Sequence, residues 1–388
     1  MRIRKVSATG LHVPIPEARQ HTTDFGRIRA FDTTLVRVEA EGDLVGWGEA
    51  KAAVGSAGNS AALVACIEQE LTPLILGEDA RDISRLWDVM YNGSRAHFAI
   101  ARGHAFPVLG RRGLTIGALA GIDMALWDLL GKSLGQPVWR LLGGRRQARM
   151  PAYASGGWAP ADRIAAELQS FLDRGDFKAV KMRVGAGDGT LDHSIRRVHA
   201  AREGLGEHID IMCDAHGTWT VAEAKRFCRA VADCNIGWLE EPVTADDKRG
   251  QAEIRAATDI PIASGESEFT RFDFRDLIEL RAVDILQPDL SIAGGITEAV
   301  RIEALAAAHQ LRFAPHLWGG ALTFAAGLHV AAVATSGFIL EYSLGANPML
   351  HELAIEDFPV VQGQIEIPDR PGLGVTIDET FVERYRLR

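Results

Sequence analysis

The sequence has little that would attract nucleic acid or a membrane. It carries 42 basic residues against 51 acidic ones, a formal net charge of −9, and such a balance does not favour binding to polyanions. No uninterrupted apolar run reaches about 18 residues, and the opening MRIRKVSATGLHVPIP lacks the apolar segment of a secretory signal. We therefore expect a soluble, cytoplasmic protein that binds neither nucleic acid nor membrane.

Cysteine is also scarce. The four cysteines show no CxxC spacing, and a disulfide framework is not expected in a domain of this size. Cys213 directly precedes Asp214, so the alternation of a strand turns it to the opposite side, where it would pack in the core. With 388 residues and 47% hydrophobic residues, the chain is long enough for a barrel and a second domain.

The order of predicted elements divides the chain. Residues 1–120 hold β-like runs with a turn at 41–43, then helical segments, which indicates a small α+β domain. From residue 121 to about 355, strands and helices alternate, with eight strand candidates: PAYAS at 151, FKAVKMRV at 177, IDIMCDA at 209, IGWLEEP at 236, IPIASGE at 260, AVDILQPD at 282, LRFAPHLW at 311 and FILEYS at 338. This predicts an α/β fold with a (β/α)₈ barrel. A doubly wound sheet is the structural alternative, but it binds its ligand mainly at one switch point.

Three carboxylates follow successive strand candidates at intervals of 26 residues: Asp214 in DAHG, Glu240 in WLEEP and Glu266 in SGES. The carboxyl ends of barrel strands converge on one mouth, so these side chains would meet in space. Hard oxygen ligands in such a cluster suit Mg²⁺. Any one of these acids could equally cap a helix or pair with Lys or Arg, but the even spacing of all three favours a metal site.

Other strand ends add candidate catalytic groups. Asp289 and His316 end two later strands, and an Asp beside a His holds one imidazole tautomer and makes the His a competent base. Alone, His316 would more often be structural. Lys181 and Arg183 alternate to the same side of their strand, where two cations suit an anionic substrate. They could instead only compensate the carboxylates.

Taken together, KxR at 181, DxH at 214, EEP at 240, GE at 265, Asp289, His316 and Glu341 resemble the mandelate racemase subgroup of the enolase superfamily. The segments GIDMALWDLLGKSLGQPVWRLLGG at 121–144 and IEIPDRPGLGV at 365–375 also resemble that group, so the similarity covers nearly the whole chain. It implies a capping domain built from residues 1–120 and a returning tail at 356–388, and Mg²⁺ on Asp214, Glu240 and Glu266. Glu241 is the alternative second ligand.

The resemblance implies abstraction of a proton α to a carboxylate, with the metal stabilising the enediolate. Lys181 matches the family position that touches the substrate carboxylate. Glu341 matches one that hydrogen-bonds it from the other side, as a neutral acid. Two positions bear on the reaction. Arg183 replaces the lysine base usual in racemases and stays protonated, which disfavours two-base racemisation. His216 stands where some acid-sugar dehydratases of the subgroup have His, and it could protonate a departing hydroxyl or only orient Asp214.

We therefore expect an enzyme, a Mg²⁺-dependent dehydratase that converts an aldonate or aldarate to a 2-keto-3-deoxy acid. A cycloisomerase of a sugar lactone, or an epimerase, is the alternative. A binding barrel without catalysis is not favoured, because the full set of ligands and the His/Asp pair is present. Family resemblance also implies a small carboxylate substrate and a homo-oligomer, often an octamer.

Three segments could supply substrate contacts. Residues 14–29 and 51–60 match lid regions of the family. The stretch 92–113 carries four basic or titratable side chains and could contact the substrate or form an interface: Arg95, His97, Arg102 and His104.

Overall fold

The N-terminal region is an antiparallel sheet. The computed structural model describes residues 1–23, 26–55, 60–103 and 110–387. The first strands are β1 (Ile3–Pro14), β2 (His21–Thr23), β3 (Gly26–Ile28), β4 (Ala30–Ala40) and β5 (Leu44–Ala50). Strand β4 pairs with both β1 and β5, while β2 and β3 form a separate hairpin. The predicted turn at 41–43 joins β4 to β5, and Gly42 takes a left-handed φ of 82° there.

A long helix packs directly on this sheet. The helices before the barrel are α1 (Ser60–Ala65), α2 (Thr72–Ile75), α3 (Ile83–Asn92), α4 (Ala96–Ala101), α5 (Leu114–Leu134) and α6 (Val138–Leu141), with a π-helical segment at Cys66–Leu71. A Cβ added at Gly48 of β5 would lie 2.0 Å from the carbonyl oxygen of Gly121 in α5. Only glycine therefore permits this close approach of strand and helix. Helix α5 runs across the predicted boundary at residue 120, and the division into domains stays a prediction.

Helix α5 is a core helix. Among the described residues it is the helix long and apolar enough to span a membrane, but 78% of its apolar window is buried inside the protein. Its two aspartates are buried and satisfied by distant partners. Asp123 accepts hydrogen bonds from the backbone and hydroxyl of Thr297 at 2.9 and 2.5 Å, and Asp128 accepts from Trp47 N and Leu373 N, each at 2.9 Å. The helix thus ties the sheet, the barrel and the tail together.

Eight parallel strands follow, in the order the sequence predicts. They are β6 (Arg149–Gly156), β7 (Ala179–Arg183), β8 (Asp210–Asp214), β9 (Ile236–Glu240), β10 (Ile262–Ser264), β11 (Ile285–Leu286), β12 (Arg312–Phe313) and β13 (Leu340–Ser343). Strands β6 to β12 pair consecutively, and β13 pairs with β6. The stretch before β13 lies beside β12, since Phe313 bridges Gly337 and donates to Ser336 O at 3.0 Å. These pairings close the predicted barrel, so an open doubly wound sheet is excluded.

Helices cover the outside of the barrel. They are α7 (Ile164–Leu172), α8 (Leu191–Leu205), α9 (Val221–Ala230), α10 (Lys248–Arg255), α11 (Thr270–Glu279), α12 (Leu290–Ala293), α13 (Gly295–Ala308), α14 (Ala321–Val333) and α15 (Pro348–His351). Thr220 and Glu223 form a capping box that fixes where α9 begins. The barrel interior is filled by Tyr153, Ala179, Met212, Trp238, Ala263, Ile285 and Ala314. Cys213 packs under the helices, and all four cysteines are buried and free.

The C-terminal tail returns to the N-terminal sheet. Strands β14 (Val360–Val361) and β15 (Gln364–Glu366) form a hairpin, and β15 adds antiparallel to β6. After α16 (Glu379–Tyr385), Leu387 N donates to Gly10 O of β1 at 2.8 Å. The tail therefore contacts both the barrel and the N-terminal sheet, which is the course that the family resemblance implied.

A buried histidine makes stability depend on pH. In α14, His329 accepts from Trp139 N at 3.3 Å and donates to Leu373 O at 3.1 Å, and burial lowers its pKa to about 4. The unfolded chain, with a His pKa near 6.5, binds the proton first as pH falls. The histidine's contribution is therefore complete above pH 6.5 and lost between about pH 6.5 and 4, a change of about 3 kcal/mol.

We expect urea unfolding of the native chain to show this loss in the free energy of unfolding. His329→Gln can keep one hydrogen-bond acceptor and one donor but does not titrate, so its free energy of unfolding should fall by about 3 kcal/mol less over the same pH range. The comparison is between slopes with pH, so a uniform destabilisation of the variant does not affect it. Equal slopes for the two proteins would show that His329 is not the titrating group.

Candidate active site

The predicted metal carboxylates meet because their strands are aligned. Arg183, Asp214 and Glu240 are direct neighbours in register at the ends of β7, β8 and β9. Glu266 follows two residues after Ser264, the last residue of β10. One carboxylate oxygen from each of the three acids lies within 4.8 Å of the others. Positions far apart in the chain thus form one acidic cluster at the barrel mouth.

Two cations hold this cluster. Lys181 Nζ lies 2.5 Å from Glu240 Oε1, 2.9 Å from Glu341 Oε1 and 3.3 Å from Asp214 Oδ2. Arg183 forms an ion pair with Asp214. Burial alone would lower the pKa of Lys181, but Glu240 and Glu341 raise it above its ordinary value. Both side chains are therefore cations in this arrangement, and the guanidinium of Arg183 cannot serve as a base.

The acids outnumber these cations, which fits a divalent metal ion. Burial, together with Glu241 and Glu240, raises the pKa of Glu266 to about 8 despite His316 nearby. Within the described part of the chain, Asp214 Oδ2 and Glu266 Oε2 are buried and accept no hydrogen bond, although cationic groups lie close to them. Such oxygens suit Mg²⁺, whose preferred ligands are carboxylates.

Glu241, the alternative ligand, lies outside this group of oxygens. Its side chain is buried, and its backbone takes a left-handed φ of 37°. Burial and the neighbouring carboxylate of Glu240 raise its pKa to about 8. The geometry thus groups Glu240, rather than Glu241, with Asp214 and Glu266.

A histidine and an aspartate form a hydrogen-bonded pair beside the cluster. His316 Nδ1 lies 2.9 Å from Asp289 Oδ2, and its Nε2 lies 3.4 Å from Glu266 Oε2. Ser291 donates to Asp289 from its backbone and hydroxyl at 2.8 and 2.5 Å. Burial would lower the pKa of His316, but Glu266 and Asp289 raise it above its ordinary value. Because Asp289 holds Nδ1, the other ring nitrogen faces the acids of the mouth.

Glu341 lies on the same wall and is surrounded by donors. Its carboxylate accepts from Ser155 Oγ at 2.7 Å and from Leu317 N at 2.9 Å, and Lys181 lies at 2.9 Å. Although burial raises the pKa of this group, Lys181 and His316 lower it well below its ordinary range. Lys181 and these donors therefore favour the ionised carboxylate in this arrangement, and a role toward substrate as a neutral acid stays a prediction.

His216 stands at the turn after β8. Its backbone N donates to Asp214 Oδ1 at 3.0 Å, and its Nε2 lies 3.4 Å from Asp214 Oδ2. It takes a left-handed φ of 46°, which is uncommon for a residue other than glycine and is found at functional turns. The ring thus both borders the acidic cluster and lines the adjacent cavity.

A cavity of about 170 Å³ lies over the cluster, between the N-terminal region and the barrel. Arg183, His216, Glu266 and His316 line it, whereas Lys181, expected to touch substrate, is fully buried behind it and is not among the lining residues. The other walls come from residues of the two predicted lids and from residues outside every predicted segment. From the lids come Thr23, Ile28, Lys51, Ala53, Val54 and Gly55, and from elsewhere come Ala30, Phe31, Asp32, Trp158 and Trp318.

Lys51 is the most informative of the missed residues. Its Nζ donates to Trp318 O at 2.5 Å and lies 3.8 Å from Asp289 Oδ2. The sequence feature that could have identified Lys51 is its position directly after β5, at the first residue of the predicted lid 51–60. A cation from the N-terminal region thereby reaches the Asp289–His316 pair of the barrel.

The predicted lids contribute in part. Residues from both 14–29 and 51–60 line the cavity, but 24–25 and 56–59 lie outside the described residues. In the stretch 92–113, residues 104–109 are not described, so His104 lies outside the described residues. Among the described residues of that stretch, Arg95, His97 and Arg102 are exposed and do not line the cavity.

Comparison with known proteins agrees with this geometry. Residues 163–381 match the family described as enolase C-terminal domain-like, and residues 5–143 match the N-terminal domain of the mandelate racemase / muconate lactonizing enzyme family. The chain belongs to the mandelate racemase subgroup of the enolase superfamily. Its fold is accordingly a capping domain with a (β/α)₈ barrel.

Curated relatives of this superfamily member act on sugar acids. A D-galactarolactone cycloisomerase of Agrobacterium fabrum is 34% identical and covers 91% of each chain. An arabinonate dehydratase of Saccharolobus solfataricus is 33% identical over 92% of this chain and 91% of the relative. The chain is thus similar both to a lyase and to an isomerase, and the comparisons support its being an enzyme.

Solved structures extend the likeness to three dimensions. A member of the enolase superfamily from Polaromonas sp. JS666 superposes with a TM-score of 0.88 at 33% identity, covering 100% of this chain and 98% of that one. A racemase from Streptomyces coelicolor A3(2) with bound magnesium has a TM-score of 0.85 at 30% identity, covering 99% and 100%. Enolase-superfamily members use Mg²⁺, and the acidic cluster of this chain could hold that ion.

Replacing the carboxylate of Glu266 tests metal binding separately from the stability of the metal-free fold. Because burial disfavours the charged form of Glu266 and raises its pKa to about 8, Glu266→Gln, which keeps the size of the side chain without its charge, should change the free energy of unfolding by less than about 1 kcal/mol. Mg²⁺ at 100 times its Kd should stabilise the unaltered protein by about 2.7 kcal/mol, and this increment should vanish in the variant.

Denaturant unfolding with and without Mg²⁺ measures both quantities. Glu268→Gln is the matched control, since Glu268 is also buried but pairs with Lys248 at 2.8 Å and lies outside the group of metal oxygens. It should keep the Mg²⁺ increment. An undiminished increment in Glu266→Gln would rule out Glu266 as a ligand.

Proposed function

We propose that this protein is a Mg²⁺-dependent dehydratase that converts an aldonate or aldarate to a 2-keto-3-deoxy acid. The observation that carries the proposal is the hydrogen-bonded pair of His316 and Asp289, which lies beside two side chains that remain cationic, Lys181 and Arg183. Abstraction of a proton α to a carboxylate needs one base, and elimination of the neighbouring hydroxyl needs no second base on the opposite face.

Each residue at the barrel mouth has a separate role in the proposed reaction. Arg183 lines the cavity and would bind the substrate carboxylate, while Lys181 holds the carboxylates of the cluster in place. In its neutral form, His316 would take the proton from C2 on Nε2, and Asp289 would stabilise the imidazolium that forms. When bound by Asp214, Glu240 and Glu266, Mg²⁺ would offset negative charge that develops on the substrate carboxylate.

The leaving hydroxyl needs a proton donor. As the bond from C3 to oxygen breaks, His216 would deliver a proton, so that the oxygen departs as water and the resulting enol becomes the 2-keto acid. His216 lines the same cavity as His316 and Glu266, which supports its access to the substrate. This role is separate from that of His316, because one histidine accepts a proton and the other donates one.

A lactone cycloisomerase is the second candidate. His216 Nε2 lies 3.4 Å from Asp214 Oδ2, so the ring could act only by orienting that carboxylate. Elimination from a lactone expels a carboxylate, which needs no proton donor. The likeness to the D-galactarolactone cycloisomerase favours the same alternative.

The decisive experiment incubates the Mg²⁺-loaded protein with aldonates, aldarates and their lactones in D₂O and follows proton NMR. A 2-keto-3-deoxy product formed from an open-chain aldonate or aldarate with loss of water supports the dehydratase, whereas such a product formed only from a lactone supports the cycloisomerase. His316→Asn should lower the rate of product formation by about 10²- to 10⁴-fold. His309→Asn, at an exposed histidine, is the control and should leave the rate unchanged. Full dehydration by His316→Asn, or exchange at C2 without loss of water, would contradict the proposal.

The two candidate reactions differ in their need for His216. Asparagine tolerates the left-handed backbone of this position, so His216→Asn removes the imidazole without backbone strain. We expect a loss in kcat of at least about 100-fold if His216 protonates the leaving hydroxyl. A loss of less than about tenfold, measured on the substrate found by NMR, would favour the cycloisomerase.

A further inference from the structure

A second cluster of metal-ligating side chains lies at the opposite end of the barrel from the mouth. His199 is on α8, and Asp233 and Cys234 occupy a 3₁₀ turn (Ala232–Cys234) just before β9. Because Glu240 ends the same strand, the cluster lies at the amino-terminal end of β9 and the acidic mouth at its carboxyl end. The reaction proposed above uses none of these three residues.

The spacing of the three ligand atoms fits a single ion. Cys234 Sγ lies 3.3 Å from His199 Nδ1 and 3.8 Å from Asp233 Oδ1, and all three atoms are within 4.8 Å of one another. For a tetrahedral Zn²⁺ with bond lengths of about 2.3 Å to sulfur and about 2.0 Å to nitrogen or oxygen, the ligand atoms should be about 3.6 Å apart. The two observed distances fall on either side of this value.

The imidazole is already oriented for a ligand. His199 Nε2 lies 2.9 Å from Ala230 O, the carbonyl at the end of α9. A carbonyl can only accept, so Nε2 carries the hydrogen and Nδ1 presents a lone pair toward Cys234 Sγ. Histidines that bind metals commonly donate their second nitrogen to a backbone carbonyl in this way.

The turn that carries the cysteine is also fixed. Arg202 donates to Cys234 O at 2.7 Å and to Asn235 O at 3.1 Å. Asn235 takes a left-handed φ of 46° that ends the turn before β9. Side-chain and backbone contacts thus hold the thiol and the imidazole close together before any ion binds.

A hydrogen bond from the Cys234 thiol to His199 Nδ1 would account for two of the three residues. The thiol has one hydrogen, however, and Asp233 Oδ1, at 3.8 Å from Sγ, is a third ligand atom within 4.8 Å of the other two. A cation can bind the imidazole, the carboxylate and the thiolate at once.

We propose that His199, Asp233 and Cys234 bind one borderline or soft divalent cation of the Zn²⁺ class, with water in the fourth position. On binding, the S–H bond of Cys234 breaks, its proton passes to solvent, and a bond from sulfur to the metal forms. Nitrogen and sulfur ligands distinguish this site from the mouth, whose three oxygens suit Mg²⁺.

Co²⁺ titration of the full chain in saturating Mg²⁺ tests the site. Thiolate coordination gives a sulfur-to-cobalt charge-transfer band in the near ultraviolet, which the oxygen ligands of the mouth cannot produce. We expect one equivalent of Co²⁺ to generate the band and Zn²⁺ to displace it. Cys234→Ser should abolish the band, whereas Cys66→Ser and Cys228→Ser, at other buried cysteines, should keep it.

A variant at an exposed position covers the case in which Cys234→Ser does not fold. Asp233→Asn changes an exposed side chain and should weaken Co²⁺ and Zn²⁺ binding at least tenfold by calorimetric titration while leaving the melting temperature of the metal-free protein unchanged. The proposal is overturned if the native chain gives no band, if the band persists in Cys234→Ser, or if Asp233→Asn binds both metals as tightly as the native chain does.

Discussion

Repulsion among buried carboxylates at the barrel mouth is the constraint on which the rest of the site depends. Six acids are buried there: Asp214, Glu240, Glu241, Glu266, Asp289 and Glu341. Taking charges out of water costs several kcal/mol each unless partners offset it. Lys181 contacts three of them, Asp214, Glu240 and Glu341, and Arg183 forms a further ion pair with Asp214. The pKa values of Glu241 and Glu266 are still raised to about 8. The protein by itself leaves this charge incompletely compensated, so a bound divalent cation and the stability of the fold are linked.

The N-terminal sheet takes part in that arrangement through the end of β5. Glu49 is fully buried and accepts hydrogen bonds from Gly320 N and Thr323 N, at 2.8 and 3.1 Å, where α14 begins. It therefore supplies the N-terminal cap of a barrel helix from another part of the chain. Two residues later, Lys51 donates to Trp318 O and approaches Asp289. The loop that carries His316 is thus held from both sides, and the position of the proposed base depends on contacts with the N-terminal region.

The features that could be predicted from the sequence are those that repeat along the chain or depend on short segments. The strand ends, the alternation of Lys181 and Arg183, and the spacing of the three acids are properties of short segments, and the barrel follows from eight such segments. Contacts between distant segments could not be predicted: nothing in the segment GWGEAK indicates that Lys51 contacts Trp318, which lies far along the chain. The charge of Glu341 could not be predicted from the sequence either, because it depends on Lys181 and on Leu317 N, whose positions only the folded barrel defines. Helix α5 crosses the expected boundary because its glycines and buried aspartates serve two regions at once.

Strand β9 links two sites of different chemistry. Its five residues span about 16 Å at about 3.3 Å per residue. The proposed His199, Asp233 and Cys234 site and the mouth are therefore too far apart to share a ligand. Selection between metals then rests on ligand type: oxygen ligands at the carboxyl end favour Mg²⁺, and nitrogen and sulfur ligands at the amino end favour Zn²⁺. Because the barrel places every carboxyl strand end on one face, the amino ends are free to acquire a separate site without disturbing the proposed catalytic groups.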